Sequence, residues 1–329
     1  MRKWQIPVLI TLTAVTAVAS LHFGLRNYST QVVFTALFAP DGSPDSLIIS
    51  GLRVPRTLVA LVVGAALGTS GLLMQSVFRN PLAEPGLLGV NAGASFAVVA
   101  MFSFLGVTSL WALSLAALLG AGFAMVMIFA LVVFARGALT PISLILAGVT
   151  LAAFLSALTQ VMIVTNEAAM EALLFWLAGG FADRDVSVVL WLGPFLLIGL
   201  VAAIFNANAL DAMVTGETAA QALGVDTKQL RIMVLSLASA LAAFCVVIAG
   251  PVGFIGLVAP HIARLMAGPS HAGLFPRVAL IGALLAVLAD IGARLVVAPQ
   301  EAPVTALLAL VGTPVLIALV RTRRMRSIA

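Results

Sequence analysis

"RVPRTLVALVVGAALGTSGLLMQSVFRNPLAEPGLLGVNAGASFAVV" occupies residues 53–99. Between Thr57 and Phe78 it carries no charged side chain. That run meets the about 20 apolar residues a helix needs to cross the hydrocarbon core of a membrane. "RNPLAEPG" (79–86) then interrupts it, and Pro81 and Pro85 forbid a regular helix across the interruption. A second apolar run follows. The pattern is helix, rigid turn, helix, a membrane hairpin with a proline-locked corner. Asn80 and Glu84 are placed to cap the helix ends at this corner, and Gln75 has a side chain suited to an interhelical hydrogen bond.

The whole chain repeats this character. Of its 329 residues 62% are hydrophobic and 9% charged, with a mean hydropathy of +1.19; a soluble domain runs near half apolar and about a quarter charged. We therefore read residues 1–329 as one all-α polytopic membrane domain. Apolar runs near 6–25, 55–77, 86–105, 111–134, 142–164, 187–206, 231–250, 256–267, 277–297 and 303–320 predict about ten spans. The eighth is too short for a regular crossing, so it is expected to be irregular and packed inside the bundle. "GPVGFIGLVAPH" (250–261), just before it, resembles "NPLAEPGLLGVNAG" (80–93) in its Gly/Pro rhythm. The two follow spans of opposite direction, which suggests an inverted repeat of spans 2–5 and 7–10.

Basic residues report orientation. With a cytoplasmic N-terminus, Arg2, Lys3, Arg79, Arg136, Lys228, Arg231, Arg264, Arg277 and the tail Arg321, Arg323, Arg324 and Arg326 fall inside, and Arg26, Arg53, Arg56, Arg184 and Arg294 outside. Twelve against five satisfies the positive-inside rule and places both termini in the cytoplasm. The pI of 10.6 thus reflects topology and not a nucleic-acid patch. The first span has a basic start and small residues at its end, like a signal peptide. Its length and the ten-span count favour a retained span.

One stretch breaks the apolar pattern: "LDAMVTGETAAQALGVDTKQLR" (210–231), inside the expected cytoplasmic loop 207–230. Glu217 suits a helix start and Gly224 a helix stop. The result is a short Ala-faced helix along the membrane surface, a solvated interfacial helix or a knob for another protein's groove. On the outer side Arg53, Arg56 and Arg294 gather against the charge trend. They either snorkel to headgroups or form a basic socket for a partner's carboxylates. Asp290 lies one turn before Arg294, an i,i+4 pair best read as a structural ion pair, with Glu301 close by. "TNEAAMEALLFWLAGGFADRD" (165–185) holds a short apolar helix ended by Gly179 and Gly180, a lid or an interfacial anchor through Trp176. The single Cys245 excludes a disulfide framework and any Cys-based metal site, no cofactor is expected, and neither lysine stands in a phosphate-cradling motif. Any energy-driven step must draw on a partner or on an ion gradient.

Residues 53–99, "FWLAGGF" (175–181), "AGPVGFIGLVAPHIARLMAG" (249–268), "LADIGARL" (288–295), "EAP…GTP" (301–314) and the polar loop together resemble, in order, the FecCD-type permease family, importers of ferric siderophores, haem and vitamin B12. The nearest likeness is to ferric-citrate and siderophore members. The resemblance implies a type II ABC importer permease fold, with cytoplasmic ATPase subunits (two), a second permease subunit, identical or related, and a periplasmic substrate-binding protein as partners, and an iron chelate as cargo. It implies ATPase coupling through Asp211, Glu217, Ala219, Ala220, Leu223 and Gly224, and binding-protein docking at Arg53, Arg56 and Arg294. It also implies a pathway or gate near Asn80, Pro81, Trp176, Gly179 and Gly180. Thr305 departs from the family's usual Gly and raises a question of local packing. The rival readings are an ion- or proton-coupled secondary transporter using Asp290 and a structural membrane protein.

Overall fold

The computed structural model describes residues 4–134, 140–166, 178–182, 186–266, 268, 270–297 and 300–326, and among these every regular element is helical. In chain order the helices are α1 (Gln5–His22), α2 (Thr30–Phe38), α3 (Pro44–Ile48), α4 (Val54–Phe78), α5 (Val90–Leu105), α6 (Leu110–Phe134) and α7 (Pro141–Thr165). These are followed by α8 (Val186–Phe205), α9 (Ala207–Val214), α10 (Glu217–Ala222), α11 (Thr227–Ala249), α12 (Ile255–Met266), α13 (His271–Val296) and α14 (Val304–Arg326). Among the described residues six segments are long and apolar enough to cross a membrane, and α8 is a seventh candidate, with α9 bent away from it by 48°. Three shorter apolar helices, α5, α12 and Val304–Pro314 of α14, complete the ten expected.

α4 is the axis of the bundle. Every residue from Ala66 to Phe78 is buried, and α11, α12 and α13 pack around it. Lipid tails are as apolar as leucine, so close packing of small residues, not hydrophobicity, holds membrane helices together. The antiparallel pair α4–α13 shows this directly. A Cβ on Gly64 would run into the Gly282 carbonyl, and one on Gly282 into the Gly64 carbonyl. Gly71 is pressed in the same way against the Gly256 carbonyl of α12. The outer shell is the reverse: Leu115, Leu119, Phe123 and Val126 of α6 and Ile142, Leu146 and Val161 of α7 are each more than half exposed, as lipid-facing side chains are.

α4 and α11 run in opposite directions, and each leads into a broken stretch and a short helix, as an inverted repeat requires. The two breaks meet beside the middle of α4. They enclose a pocket of about 20 Å³ lined by Leu67, Glu84, Pro85, Phe254 and Gly256. The Phe254 N–H donates to the Glu84 carboxylate. The sequence assigned Glu84 to capping; it makes no cap bond at the turn Pro85–Leu88 and instead reaches the other break. Asn80 caps no helix either: its side chain accepts from the Leu82 N–H at 3.0 Å and closes a local turn between α4 and Pro85–Leu88.

Two departures from the sequence reading matter for the sites. Residues 26–52, read as loop, contain α2 and α3, capped by Ser29 and Ser43, and a π turn (Ile49–Arg53) that carries α3 into α4. Leu21, Tyr28, Val33, Ala36 and Ile49 form a small core of their own there. Span nine also starts at His271, not at 277, for a reason given below.

Candidate functional sites at the two ends of the central helix pair

The end of α4–α13 that meets α1–α3, the rim end, collects five charged residues. Arg56 donates through Nε to Asp290 Oδ1 at 2.7 Å and through Nη1 to both oxygens of Glu301 at 2.9 and 2.8 Å. Asp290 is fully buried, and its second oxygen lies 2.8 Å from Arg294 Nη2, an ion contact outside hydrogen-bond alignment. Arg294 also donates to the carbonyls of Ser20 (3.0 Å) and Phe23 (3.1 Å) and to Ser20 Oγ (2.5 Å). Arg53 donates to the carbonyls of Leu21 (2.7 Å) and Arg26, and its guanidinium stands 4.5 Å from the centre of the Tyr28 ring. A charge at membrane depth survives only when it is compensated; Arg56, Asp290, Arg294 and Glu301 are ion-paired, and Arg53 is held by carbonyls and the Tyr28 ring.

The three arginines singled out from the sequence are thus brought together, lining one cavity of about 350 Å³ with Arg26, Tyr28 and Glu301. Their presentation differs from an open socket. Arg53 and Arg294 are buried and spend their donors on the carbonyls that end α1, so they fasten α1 to α4 and α13. Arg56 sits in front of them, bridged to Glu301, whose side chain is 34% exposed. The Asp290–Arg294 pair expected from i,i+4 spacing is present, with Arg56 as a third member that spacing does not show.

The opposite end, the loop end, is built from hydrogen bonds. Asp211 on α9 accepts from the His271 backbone N–H at 2.9 Å and from Ser270 Oγ at 3.1 Å, capping α13 from 60 residues away. This supplied acceptor lets the helix begin ahead of Pro276. His271 is buried, with Nδ1 2.5 Å from Asp211 Oδ1 and Nε2 2.7 Å from Ser76 Oγ at the end of α4. Arg79, in the left-handed conformation (φ 48°), ends α4 and donates to the Met213 carbonyl of α9 at 2.5 Å. Arg264 donates to Gln75 Oε1 at 2.5 Å, and Gln75 Nε2 donates to the Gly256 and Leu257 carbonyls at 3.2 and 3.4 Å. Gln75, Ser76, Arg79, Asn80, Pro81 and His271 line a cavity here of about 580 Å³, so Asn80 and Pro81 do face open space.

For Asp211, burial works against the ionised carboxylate, but the His271 N–H and ring and the Ser270 hydroxyl outweigh it and hold the group below the ordinary aspartate range. The sequence reading gave Asp211 to the docking face; its carboxylate turns into the bundle end instead.

α10 stands out from this end. Glu217 opens the helix and pairs with Arg231 of α11. Ala220 is buried, Ala219 is exposed, and Leu223 is 70% exposed. Gly216 (φ 129°) and Gly224 (φ 81°) bound the segment, and the Val225 N–H returns to the Ala220 carbonyl at 3.0 Å to close the turn. The sequence placed this helix and its glycine stop correctly and missed α9, whose buried face is Ala207, Leu210 and Met213.

Of the gate residues, Trp176 lies outside the described residues, as does Arg184. Gly179 (φ 66°) leaves no room for a Cβ against the Pro251 carbonyl, and the Gly180 N–H donates to the Ala249 carbonyl at 2.8 Å. Thr305 Oγ1 donates to the Pro251 carbonyl at 3.3 Å, so its hydroxyl finds a partner where a glycine would have none.

A helical bundle of membrane-crossing length, with an ion-paired rim at one end and a projecting polar helix at the other, defines a polytopic membrane permease. The chain belongs to the FecCD transport family, which matches over residues 12–322. It is 39% identical to the "Probable siderophore transport system permease protein YfiZ" of Bacillus subtilis, over 97% of this chain and 96% of that one. It is 39% identical to the Fe(3+)-citrate import system permease protein YfmD of the same organism (93% and 90%), and 37% identical to the ferric enterobactin transport system permease protein FepD of Escherichia coli (98% and 96%). A solved chain named as a metal-chelate type ABC transporter in an inward-facing conformation superposes with a TM-score of 0.82 at 32% identity, covering 96% of this chain and 98% of that one. The protein is therefore the permease subunit of an ABC importer, a transport component and not an enzyme. The ion-coupled alternative loses its residue as well as its class, because Asp290 is locked between two guanidinium groups.

Proposed function

We propose that this permease carries an iron(III) chelate of the siderophore type, with ferric citrate the nearest cargo, from periplasm to cytoplasm across a bacterial inner membrane. Two cytoplasmic ATPase subunits drive it, a second permease, identical or related, completes the pathway, and a periplasmic binding protein delivers the chelate. The observation that carries the reading is α10: a glycine-bounded helix with an exposed Leu223, held out between α9 and α11 in a chain that is only 9% charged. An ATP-driven partner needs such a handle to impose one of two states on the membrane body. The cargo rests on the iron-chelate names of the relatives. At the rim, Arg56 faces the arriving binding protein, with Arg53 and Arg294 behind it in the same cavity. The orientation rests on the basic-residue count together with the shared placement of the loop and the N-terminal helix. α1 begins at the loop end, where the Gln5 amide donates to the Met266 carbonyl at 2.9 Å.

Co-expression with a candidate ABC ATPase subunit tests the coupling. The wild type is expected to retain the ATPase through purification, and the double substitution Glu217→Arg, Gly224→Trp to lose it while still inserting in the membrane. A wild type that binds no ATPase, or a variant that binds it equally well, overturns the reading. For cargo, cells carrying the complex should accumulate 55Fe supplied as citrate; uptake restricted to a hydroxamate or catecholate chelate would reassign the substrate.

A further inference from the structure

Motion of α10 is useful only if it reaches the helices that line the pathway, and α10 itself is poorly placed to deliver it. One of its residues is buried, and glycines bound it on both sides. Its neighbour α9 is fixed differently. Arg79 holds the last turn of α9 to the end of α4, and Asp211 ties its middle to the start of α13. Between them His271 bonds both, through Nδ1 to Asp211 and through Nε2 to Ser76. Ser76 Oγ also lies 2.7 Å from the Leu72 carbonyl. Because the Asp211 carboxylate can only accept, the ring carries its proton on Nδ1, and Nε2 accepts from the Ser76 hydroxyl, whose one proton also has the Leu72 carbonyl in reach. α4 and α13 are locked at Gly64–Gly282, so displacing their common end displaces both.

We propose that His271 is the positioning residue of the ATP-driven cycle: it transmits displacement of the α9–α10 arm into the α4–α13 pair, and through that pair to the rim. The proposal rests on the ATP-coupled reading above. His271 touches neither cargo nor nucleotide. It acts by making three elements from distant parts of the chain move as one, and a buried hydrogen-bonded ring does this where a flexible surface contact would not.

The test uses the complete permease–ATPase complex. Cys245 is buried, so a cysteine introduced at the exposed rim position Leu52 is the accessible thiol among the described residues. Its maleimide labelling rate with and without ATP reads whether the rim responds. In the wild-type background ATP should change the rate. His271→Ala should keep the ATPase bound and hydrolysing while the ATP-dependent change shrinks about tenfold, the scale of a typical coupling energy. His271→Gln, whose amide offers one donor and one acceptor, should restore most of the response. Ser76→Ala, which removes only the α4 bond, serves the same purpose should the alanine variant at 271 fail to fold. An undiminished ATP response in His271→Ala or Ser76→Ala, or a loss that parallels reduced ATPase binding, overturns the proposal. Loss of ATPase binding in the wild type instead overturns the coupling reading on which it rests.

Discussion

The two ends of α4–α13 solve the same problem with different chemistry. The rim end joins Arg56, Asp290, Arg294 and Glu301 by ion pairs at or near membrane depth and holds Arg53 on carbonyl acceptors and the Tyr28 ring. The loop end ties helices together with a carboxylate, an imidazole, a hydroxyl and a backbone N–H. Ion clusters are rigid because breaking one strands a buried charge. The loop-end knot carries one carboxylate charge, on Asp211, so breaking it strands less charge, while its buried His271 still holds three helices together. The two ends are joined by the glycine-packed midsection of the pair.

That comparison is broken most severely at the middle. Gly64→Leu sets a branched side chain against the Gly282 backbone, which no rotamer avoids. Separating α4 from α13 removes the support of both clusters at once. We expect a loss of several kcal/mol, in the range that marks exceptional overpacking, read as failure to recover monodisperse protein from detergent. Recovery with an unchanged melting temperature would show that the two helices are not a unit.

The rim is expected to be next. Asp290→Asn keeps the shape but leaves Arg56 with Glu301 alone and Arg294 with no carboxylate. Removing one partner of a buried ion pair costs about 3–5 kcal/mol, and here the loss should appear as a lowered melting temperature. Replacing Arg56 and Asp290 together by apolar residues of similar volume should recover only the part owed to that pair, since Arg294 still lacks its carboxylate. If the single and the double substitution are equally harmful, the cluster does not work as an ion pair.

Much of this was legible beforehand, and the boundary is instructive. Ten spans, the polar helix with its Gly224 stop, and the Asp290–Arg294 pair follow from patterns within a few residues of each other. The contacts that define the sites do not. Arg56 meets Glu301 across 245 positions, and Asp211 meets His271 across 60. Asp211 looked like a surface charge because its partner was hidden in what read as a loop. His271 drew no attention for the same reason: Pro276 moved the expected helix start past it. The arginines were correctly grouped by sidedness, yet sidedness cannot reveal that the α1 carbonyls take up two of them. Small residues were countable, but which glycine faces which was not.

The loop end is expected to give the smallest loss, and its distinguishing mark is pH. Asp211 is held below its ordinary range in the folded protein by the His271 N–H and ring and by Ser270, against the opposing effect of burial. A carboxylate with a depressed folded value contributes stability that is fully present above its unfolded value, near about 4, and that is lost as pH falls through the folded one. Asp211→Asn keeps an oxygen to cap α13 but surrenders the charge, so the expected cost at neutral pH is that of a carboxylate at a helix N-terminus, about 0.3–1 kcal/mol. Melting curves taken between pH 7 and pH 3 should show a constant gap down to about pH 4 and, below it, the wild type starting to fall toward the variant as acid protonates Asp211. A gap that stays constant to the low end would mean the carboxylate's charge does nothing that a neutral oxygen cannot. The loop-end knot would then be held by shape alone, and its contrast with the rim would be one of degree.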